Sequence, residues 1–416
     1  MRFDLLEAAR VFGNAFSQLT IRLAGGLTTF LITLLIVSSL GLFTLGSFVK
    51  VTAFVALFYL IVDFGLNTIY LRDYFKEIEQ YFGNLLSLRL VIAGLAYILI
   101  LGITYVLPSG LNVGFSPSEK IGIIIFSLTL FTEAVLLSFS GLVQKKLLQR
   151  SLLVPTIVSS LFVLLAVYYS VKINNLNLIF LAYPLGDIIQ IILIFLFVKR
   201  AFDFSLLPVD FRSFSGKTIR ASGPIALMLL LNVVYFRIDT VILSIYKSTI
   251  DVGIYGFSYK IFEFLIAFPT FLSASVFPIL ILSKDDTAQF RNKVRSYSYI
   301  LFLFSLCISA VVFLGAPVIS LLRENLDSAI LPLRILCFSL PFFFLTSLFQ
   351  WVLLLRNRIK FLVITYAVTM VINILLDVIF IPVLSYNGAA TITVITEGIV
   401  FCCMISALLL GKRLHR

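Results

Sequence analysis

The chain of 416 residues is 61% hydrophobic and only 12% charged, and it carries a formal net charge of +12. An ordinary soluble domain has about 25% charged residues, and a mean hydropathy of +1.11 leaves too little polar surface for a soluble fold. The composition excludes soluble, disordered and disulfide-scaffold proteins, and it predicts an all-α polytopic membrane protein.

Twelve apolar stretches, taken in chain order, are each long enough to cross a bilayer. They cover residues 18–39, 47–70, 85–107, 119–142, 152–171, 177–198, 218–246, 251–283, 296–322, 328–354, 361–384 and 388–411. Ahead of the first stretch, apolar residues recur at helical spacing from Leu5 to Phe16. This segment is predicted to form a short interfacial helix.

The rare residue types exclude several chemistries. The single histidine, His415, cannot build a histidine-based metal site or a catalytic triad. The four cysteines lie in apolar stretches and form no Cys-x-x-Cys motif. We therefore expect neither a metal site nor catalytic residues.

The basic residues predict the orientation in the membrane. If the N-terminus is placed inside, 22 of the 32 lysines and arginines fall in inner segments and five in outer turns. This bias predicts that both termini are cytoplasmic. The net positive charge is also expected to attract anionic lipid headgroups. Because the basic residues are spread over separate segments, we expect no nucleic-acid partner.

A shift of 210 residues aligns several features of the two halves. Gly46–Lys50 falls on Gly256–Lys260, and Asp187 falls on Glu397. Six spans per half predict a parallel repeat, an arrangement found in transporters. We expect a six-helix N-terminal bundle over 1–198, a cytoplasmic linker over 199–217, and a six-helix C-terminal bundle over 218–416.

Thirteen ionisable residues fall within the predicted spans. Each would cost roughly 2.5–3.5 kcal/mol at a helix centre that faces lipid. They are Arg22, Lys50, Asp63, Arg89, Glu133, Asp187, Arg237, Asp239, Lys260, Glu263, Arg334, Asp377 and Glu397. We expect most of them to face a wet cavity or one another.

Five of the cations are candidates for binding an anionic substrate. Arg237 and Lys260 lie at one depth on adjacent spans, about 13 Å below the predicted outer turn. The predicted cationic set is Arg22, Lys50, Arg237, Lys260 and Arg334. The alternative is structural, because Lys260 and Glu263 have the i, i+3 spacing of an ion pair.

Five of the acids are candidates for coupling transport to an ion gradient, since a proton or sodium ion needs a titratable or coordinating group. They are Asp63, Asp187, Asp239, Glu263 and Glu397. The alternative is a packing role, because acids near the ends of spans are tolerated.

Several stretches together resemble a known family. They are Asp63–Leu66 with Arg72, Phe236–Leu243, Val252–Lys260, Phe277-Pro278, Asn373 through Pro382, and Asn387–Ala390 with Glu397. Nearly the whole chain resembles the Wzx-type polysaccharide and O-antigen flippases of the multidrug/oligosaccharidyl-lipid/polysaccharide (MOP) exporter superfamily.

The resemblance implies a MATE-like fold and a flippase for polysaccharide biosynthesis. Such a protein moves undecaprenyl-pyrophosphate-linked oligosaccharide from the inner to the outer leaflet of the cytoplasmic membrane. Arg237 and Lys260 would then hold the pyrophosphate, after Arg22 captures it nearer the cytoplasm. The resemblance further implies no cofactor beyond a coupling proton or sodium ion, and a monomer that contacts membrane lipids and polysaccharide assembly enzymes.

Two other functions stay open at this point. A cation-coupled efflux transporter of the same fold would rely on acidic sites, which the excess of basic residues disfavours. A membrane glycan polymerase would need a sizeable outer loop with polar catalytic groups, whereas the longest predicted outer loop spans only 108–118. We therefore expect that the protein is not an enzyme.

Overall fold

The structure, a computed structural model, describes residues 5–109, 113–146, 148–283, 286–323 and 325–410. Within these ranges nearly every residue is helical, and the β-structure is limited to an isolated bridge between Ser109 and Gly114. The predicted all-α polytopic fold is confirmed.

Fourteen helices follow one another along the described residues. They are α1 (Leu5–Leu40), α2 (Leu42–Asp63), α3 (Leu66–Asp73), α4 (Phe82–Val106), α5 (Pro117–Phe126), α6 (Thr129–Lys145), α7 (Leu153–Lys172), α8 (Leu176–Ala201), α9 (Phe211–Tyr246), α10 (Thr249–Leu282), α11 (Thr287–Gly315), α12 (Ile330–Cys337), α13 (Leu340–Leu355) and α14 (Ile359–Leu410). Short 3₁₀ turns connect several of them.

Each of the twelve predicted spans corresponds to one helix, to a consecutive pair of helices, or to one limb of α14. The pairs are α2–α3, α5–α6 and α12–α13. Helix α14 has two limbs because Ser385 leaves the helical conformation at φ 53° and ψ −139°. By length and composition alone, eight helices of the described part can cross a membrane, or ten if each of two bent pairs is one span. The chain is a multi-pass integral membrane protein.

The prediction of a separate interfacial helix before the first span is wrong. Residues Leu5–Leu40 form one continuous helix of 36 residues. Neither proline nor any other helix-breaking signal separates the amphipathic start from the apolar span, so helical hydrogen bonding continues through both.

The chain forms two compact units. The first contains the described residues up to Leu40 together with Lys50–Arg237, and the second contains Gly41–Val49 and the described residues from Ile238 onward. The segment 199–217, predicted as a linker, contains the end of α8, a connection, and the start of α9.

In the first unit, α8 packs against α5, α6 and α7, while α1 packs against α7 and α4 against α6. A cluster of buried aliphatic and aromatic side chains, including Tyr70, Phe82, Phe139 and Phe214, holds one end together. Elsewhere large apolar side chains such as Leu165 on α7 are exposed, which suits a surface that faces lipid tails.

In the second unit, α13 packs against α10, α11 and α14, and α12 packs against α14 and α10. Its apolar cluster includes Phe349, Leu353, Val400 and Met404. Helix α10 begins at a capping box, in which Ser248 and Asp251 bond to each other's backbone N–H groups.

Each half of the chain contains a broken helix pair at a similar position. The break between α5 and α6 lies at Ser127 and Leu128, and the break between α12 and α13 lies at Phe338 and Ser339. Helix α6 ends at Lys145 and α13 ends at Leu355, 210 residues later. The breaks lie 211 residues apart, close to the predicted shift, and the repeat itself stays a prediction.

Three glycines in the second unit let α2 and α10 approach each other closely. A Cβ atom at Gly46 would lie 1.8 Å from the Thr249 carbonyl oxygen, and one at Gly253 would lie 2.2 Å from the Leu42 carbonyl oxygen. At Gly256 the added atom would lie 2.6 Å from a Val49 methyl group. These positions exclude a side chain, because two of the opposing atoms belong to backbone that cannot rotate away.

Gly253→Ala should therefore destabilise the protein by about 1–3 kcal/mol, the usual cost of overpacking. Thermal unfolding of the purified protein in detergent measures the effect. Gly94→Ala on α4 is the matched control, since nothing lies within 4 Å of its added Cβ, and it should gain about 0.5–1 kcal/mol from the lower entropy of the unfolded chain. Equal melting temperatures for the two variants would contradict the close contact.

Candidate functional site

Lys50 is enclosed in the first unit rather than open to solvent. Its side chain is 1% exposed, its Nζ donates to the Gly114 carbonyl oxygen at 2.6 Å, and it lies 3.6 Å from Glu119 Oε1. Glu119 is also buried and closes the capping box of α5 by accepting from the Ser116 backbone N–H. Lys50 thus links α2 to the connection before α5, and its predicted contact with substrate stays a prediction.

Asp63, at the end of α2, lies beside a buried cation. Arg89 on α4 is fully buried, and its Nη2 is 3.8 Å from Asp63 Oδ1. Its Nη1 donates to the Ser138 hydroxyl at 3.2 Å, whereas Nε and Nη2 have no hydrogen-bond partner among the described residues. Sequence reasoning counted Arg89 among the charged residues inside spans without assigning it a role.

Asp187 on α8 belongs to the same electrostatic neighbourhood. It accepts a hydrogen bond from the Thr132 hydroxyl on α6 at 2.6 Å. Glu133, the next residue on α6, interacts electrostatically with Asp187, Asp63 and Arg89. Four predicted spans thereby bring three acids and one arginine together inside the first unit.

Asp239 on α9 is the buried acid at the centre of a hydrogen-bonded group in the second unit. It is 3% exposed, and its carboxylate accepts from the Thr240 backbone N–H at 2.6 Å and from the Tyr255 hydroxyl. Tyr255 lies on α10 and is itself fully buried. The arrangement ties α9 to α10 through one carboxylate.

Asp377 on α14 interacts electrostatically with Asp239. Its side chain is fully buried, and neither carboxylate oxygen accepts a hydrogen bond from the described residues. Asn373 lies one turn earlier on the same face, and its amide oxygen is likewise buried and unsatisfied in the described part. Such groups are costly unless something else satisfies them, so three oxygens here are suited to binding a cation or a proton.

Sequence reasoning selected Asp239 for ion coupling but passed over Asp377 and Asn373. The signal that was available is their i, i+4 spacing within an apolar span, which places an amide and a carboxylate on one helix face. Their proximity to Asp239 could not be found, because 138 residues of chain separate Asp377 from it.

Two further cations of the predicted set have partners within the second unit. Lys260 Nζ lies 2.7 Å from Glu263 Oε2, so the i, i+3 ion pair expected as the structural alternative is formed. Arg334 on α12 donates through Nε to the Phe313 carbonyl oxygen at 3.1 Å. Its guanidinium carbon lies 4.9 Å from the centroid of the Phe313 ring. Both side chains remain partly accessible.

The remaining predicted residues lie on α1, α9 and α14. Arg22 is on α1, and its side chain is outside the described part. Arg237 on α9 is half-buried and belongs to the first unit, whereas Lys260 belongs to the second. Glu397 on α14 is buried within electrostatic range of Tyr366. The joint role of Arg237 and Lys260 therefore stays a prediction.

Among the described residues there is no group of three or more histidine, cysteine, aspartate or glutamate side chains that could hold a metal ion. The oxygens of Asp239, Asp377 and Asn373 comprise two carboxylates and one amide. This ligand set suits a monovalent hard cation or a proton better than a transition metal.

Two protein families match the sequence. The family described as "Polysaccharide biosynthesis protein" matches residues 11–284, which is more than half of the chain. The family described as MatE matches residues 224–379. The two matches overlap on α9 and α10, and together they extend from the first span to the penultimate one.

One curated relative and two solved structures are similar over most of the chain. An uncharacterized membrane protein of Methanocaldococcus jannaschii is 27% identical over 283 residues, which cover 66% of this chain and 67% of that protein. The lipid II flippase MurJ in an inward closed conformation has a TM-score of 0.68 at 15% identity, covering 97% of this chain and 87% of that one.

The second solved structure is an inward-facing multidrug resistance MATE family transporter of the MOP superfamily. Its TM-score is 0.70 at 14% identity, and the match covers 95% of this chain and 97% of that one. The predicted MATE-like fold is confirmed, as is the resemblance to the MOP superfamily. The two solved structures are described as a flippase and a transporter, in agreement with the expectation that this chain is not an enzyme.

The contacts of Lys50 lead to a prediction about stability. Lys50→Ala should destabilise the protein by about 3–5 kcal/mol, because Glu119 would keep a buried and unpaired charge. The double variant Lys50→Met with Glu119→Gln removes both charges and should recover most of the loss. Thermal unfolding in detergent checks both expectations.

The matched control is Lys172→Ala, which removes an exposed lysine at the end of α7 and should change the stability by less than about 0.5 kcal/mol. A Lys50→Ala protein with wild-type stability but no transport would reverse the interpretation, since Lys50 would then act on substrate and not on the fold.

Proposed function

We propose that this chain, which belongs to the polysaccharide biosynthesis protein family, is a flippase for an oligosaccharide linked to a polyprenyl pyrophosphate. It moves this lipid from the inner to the outer leaflet of the cytoplasmic membrane, with both of its termini on the cytoplasmic side. The family match over residues 11–284 is the observation that carries the proposal. Similarity in fold to a protein described as a lipid II flippase supports a lipid-linked substrate.

The charge of the chain supports an anionic substrate. The net charge is +12, and cations such as Arg237 and Arg334 lie well inside predicted spans with partly accessible side chains. A guanidinium can donate to two oxygens of a phosphate at once, and in a low-dielectric setting such charge-assisted bonds are strong. Either arginine could therefore bind a pyrophosphate that passes through the membrane region.

The acids of the second unit support coupling of this transport to a cation. Among the described residues, two buried oxygens of Asp377 and one of Asn373 have no hydrogen-bond partner, and Asp239 lies within electrostatic range of Asp377. A bound sodium ion would offset one of the two carboxylate charges and take these oxygens as ligands, whereas a bound proton would neutralise one carboxylate. Because Asp239 also accepts from Tyr255 and Thr240, binding of the cation would change contacts between α9, α10 and α14.

A second function has one specific observation in its favour. The MatE family matches residues 224–379, and a transporter described as a multidrug resistance MATE protein shares the fold. Cation-coupled efflux of a small molecule would use the same acids of the second unit. It differs from the first proposal in its substrate, which would be water-soluble or amphiphilic and would carry no pyrophosphate.

A reconstituted flipping assay tests the proposal and separates it from efflux. Purified protein in vesicles should move a labelled polyprenyl-pyrophosphate oligosaccharide between leaflets, as measured by the label's accessibility to a membrane-impermeant reagent. Arg237→Ala should reduce the rate strongly, and Arg237→Lys should restore it only in part, because lysine lacks the bidentate fork. Transport of cationic dyes with no movement of the labelled lipid would favour efflux and contradict flipping.

Asp377→Asn should abolish transport driven by an ion gradient while leaving the fold intact, because an amide keeps the shape but loses the charge. If the ion is sodium, sodium should raise the melting temperature of the wild-type protein relative to potassium. The stabilisation is about 2.7 kcal/mol at 100 times the dissociation constant, and the variant should lose it. If the ion is a proton, the variant should instead lose the pH dependence of transport.

Glu77→Gln, which removes an exposed acid from the turn after α3, is the matched control and should behave as wild type in both measurements. Gradient-driven transport at the wild-type rate in Asp377→Asn would remove these oxygens from the coupling mechanism.

A further inference from the structure

A cavity of about 540 Å³ lies within the second unit, between the start of α11 and the ends of α13 and α14. Its floor is apolar and includes Phe290, Val352, Ile405 and Leu408. Leu409, at the edge of the floor, is 54% exposed, so the apolar surface is continuous with the outside of the helices. None of these residues belongs to the acidic group around Asp239.

The rim of the same cavity is basic. Arg291 and Arg295 lie one turn apart on α11, which places them on one helix face. Arg356, directly after α13, also lines the cavity and lies 5.8 Å from the centroid of the Phe290 ring. Three arginines line the cavity and, among the described residues that line it, none is acidic.

Arg356 lies close to a further cation, Arg358. Burial, and then the charge of Arg358, lowers the pKa of Arg356. Arg358 donates to the Ala407 carbonyl oxygen at 2.9 Å, whereas the contact of Arg356 Nη1 with the Leu408 carbonyl oxygen is long, at 3.5 Å. An anion bound between the rim arginines would relieve this repulsion between like charges.

We propose that this cavity binds an anionic phospholipid of the surrounding leaflet, with the phosphate at the rim arginines and the first part of an acyl chain on the floor. Guanidinium groups bind phosphate oxygens in pairs, and basic pockets between transmembrane helices suit anionic headgroups. A free phosphate ion would leave the apolar floor exposed to water. The bound lipid is distinct from the transported lipid, so the site goes beyond the proposed function.

The helix ends place the site at the level of the headgroups. Arg291 and Arg295 lie in the first turns of α11, Arg356 follows the last residue of α13, and Leu409 precedes the end of α14. Three helices therefore present their ends at this cavity, with charge towards the water and apolar side chains towards the hydrocarbon.

The single tryptophan of the chain provides the probe. Trp351 precedes Val352 of the cavity floor and packs against Phe277 with 4.3 Å between ring centroids. Full-length protein is reconstituted in phosphatidylcholine vesicles that contain phosphatidylglycerol with brominated acyl chains, which quench tryptophan at short range. The measured quantity is the preference for brominated phosphatidylglycerol over brominated phosphatidylcholine.

Wild-type protein should prefer phosphatidylglycerol. Each of Arg291→Gln, Arg295→Gln and Arg356→Gln should lower the preference about fivefold, the effect of one basic residue near an anionic lipid. The triple variant should show no preference. Ser298→Phe fills the cavity without changing its charge and should also remove the preference, which tests the cavity separately from the arginines.

The matched control removes the same charge elsewhere. Arg200, Arg212 and Arg220 are exposed arginines on α8 and α9 that do not line the cavity, and their triple substitution by glutamine should keep the preference. Circular dichroism and size-exclusion chromatography establish that each variant is folded. The variant Asp377→Asn should also keep the preference, because lipid binding here does not depend on transport.

Three results would overturn the proposal. If the rim triple variant and the control triple variant lost the preference for phosphatidylglycerol equally, the preference would be a general effect of surface charge. Displacement of the brominated lipid by inorganic phosphate would show a site for a free anion. Displacement by polyprenyl pyrophosphate, with no preference for phosphatidylglycerol, would show that the cavity belongs to the transported lipid.

Discussion

A charged side chain in a hydrocarbon layer must be neutralised by a partner that its own bundle supplies, and much of this structure follows that constraint. Lys50 reaches Glu119, Arg89 lies beside Asp63, and Lys260 pairs with Glu263. Two of these three pairs join different helices. Breaking a buried pair of this kind strongly destabilises the protein, because the remaining charge stays buried. Pairs that join two helices therefore restrict how these helices can move within a unit.

Asp377 in the second unit departs from this rule. In the described part, both carboxylate oxygens of Asp377 and the amide oxygen of Asn373 are buried and accept no hydrogen bond. Asp377 also interacts electrostatically with Asp239. Buried carboxylate and amide oxygens without a partner in the described part are suited to a cation that binds and leaves, as coupling requires. The neutralising cation would then do reversibly what Glu119 does permanently for Lys50.

The positions of the helices could be predicted because hydropathy acts locally. Each apolar stretch forms helix whatever lies beside it, since backbone groups in hydrocarbon must bond within the segment. The predicted span 361–384 matches the first limb of α14, and the breaks in the pairs α5–α6 and α12–α13 lie close to the predicted 210-residue shift. The candidate site was less predictable. The partner of Lys50 was not among the predicted residues, because Lys50 lies buried against Glu119 of the capping box that begins α5.

The sequence by itself determined the membrane class, the helix order, the excess of positive charge and the family of the chain. Each of these depends on composition, periodicity or similarity along the chain. Only the tertiary structure decided which charges neutralise which. Asp239 and Asp377 are distant in sequence, and the rim arginines come from α11 and from the end of α13. Electrostatic interactions depend on distance in space and on burial, and neither can be read from a linear pattern until the helices have packed.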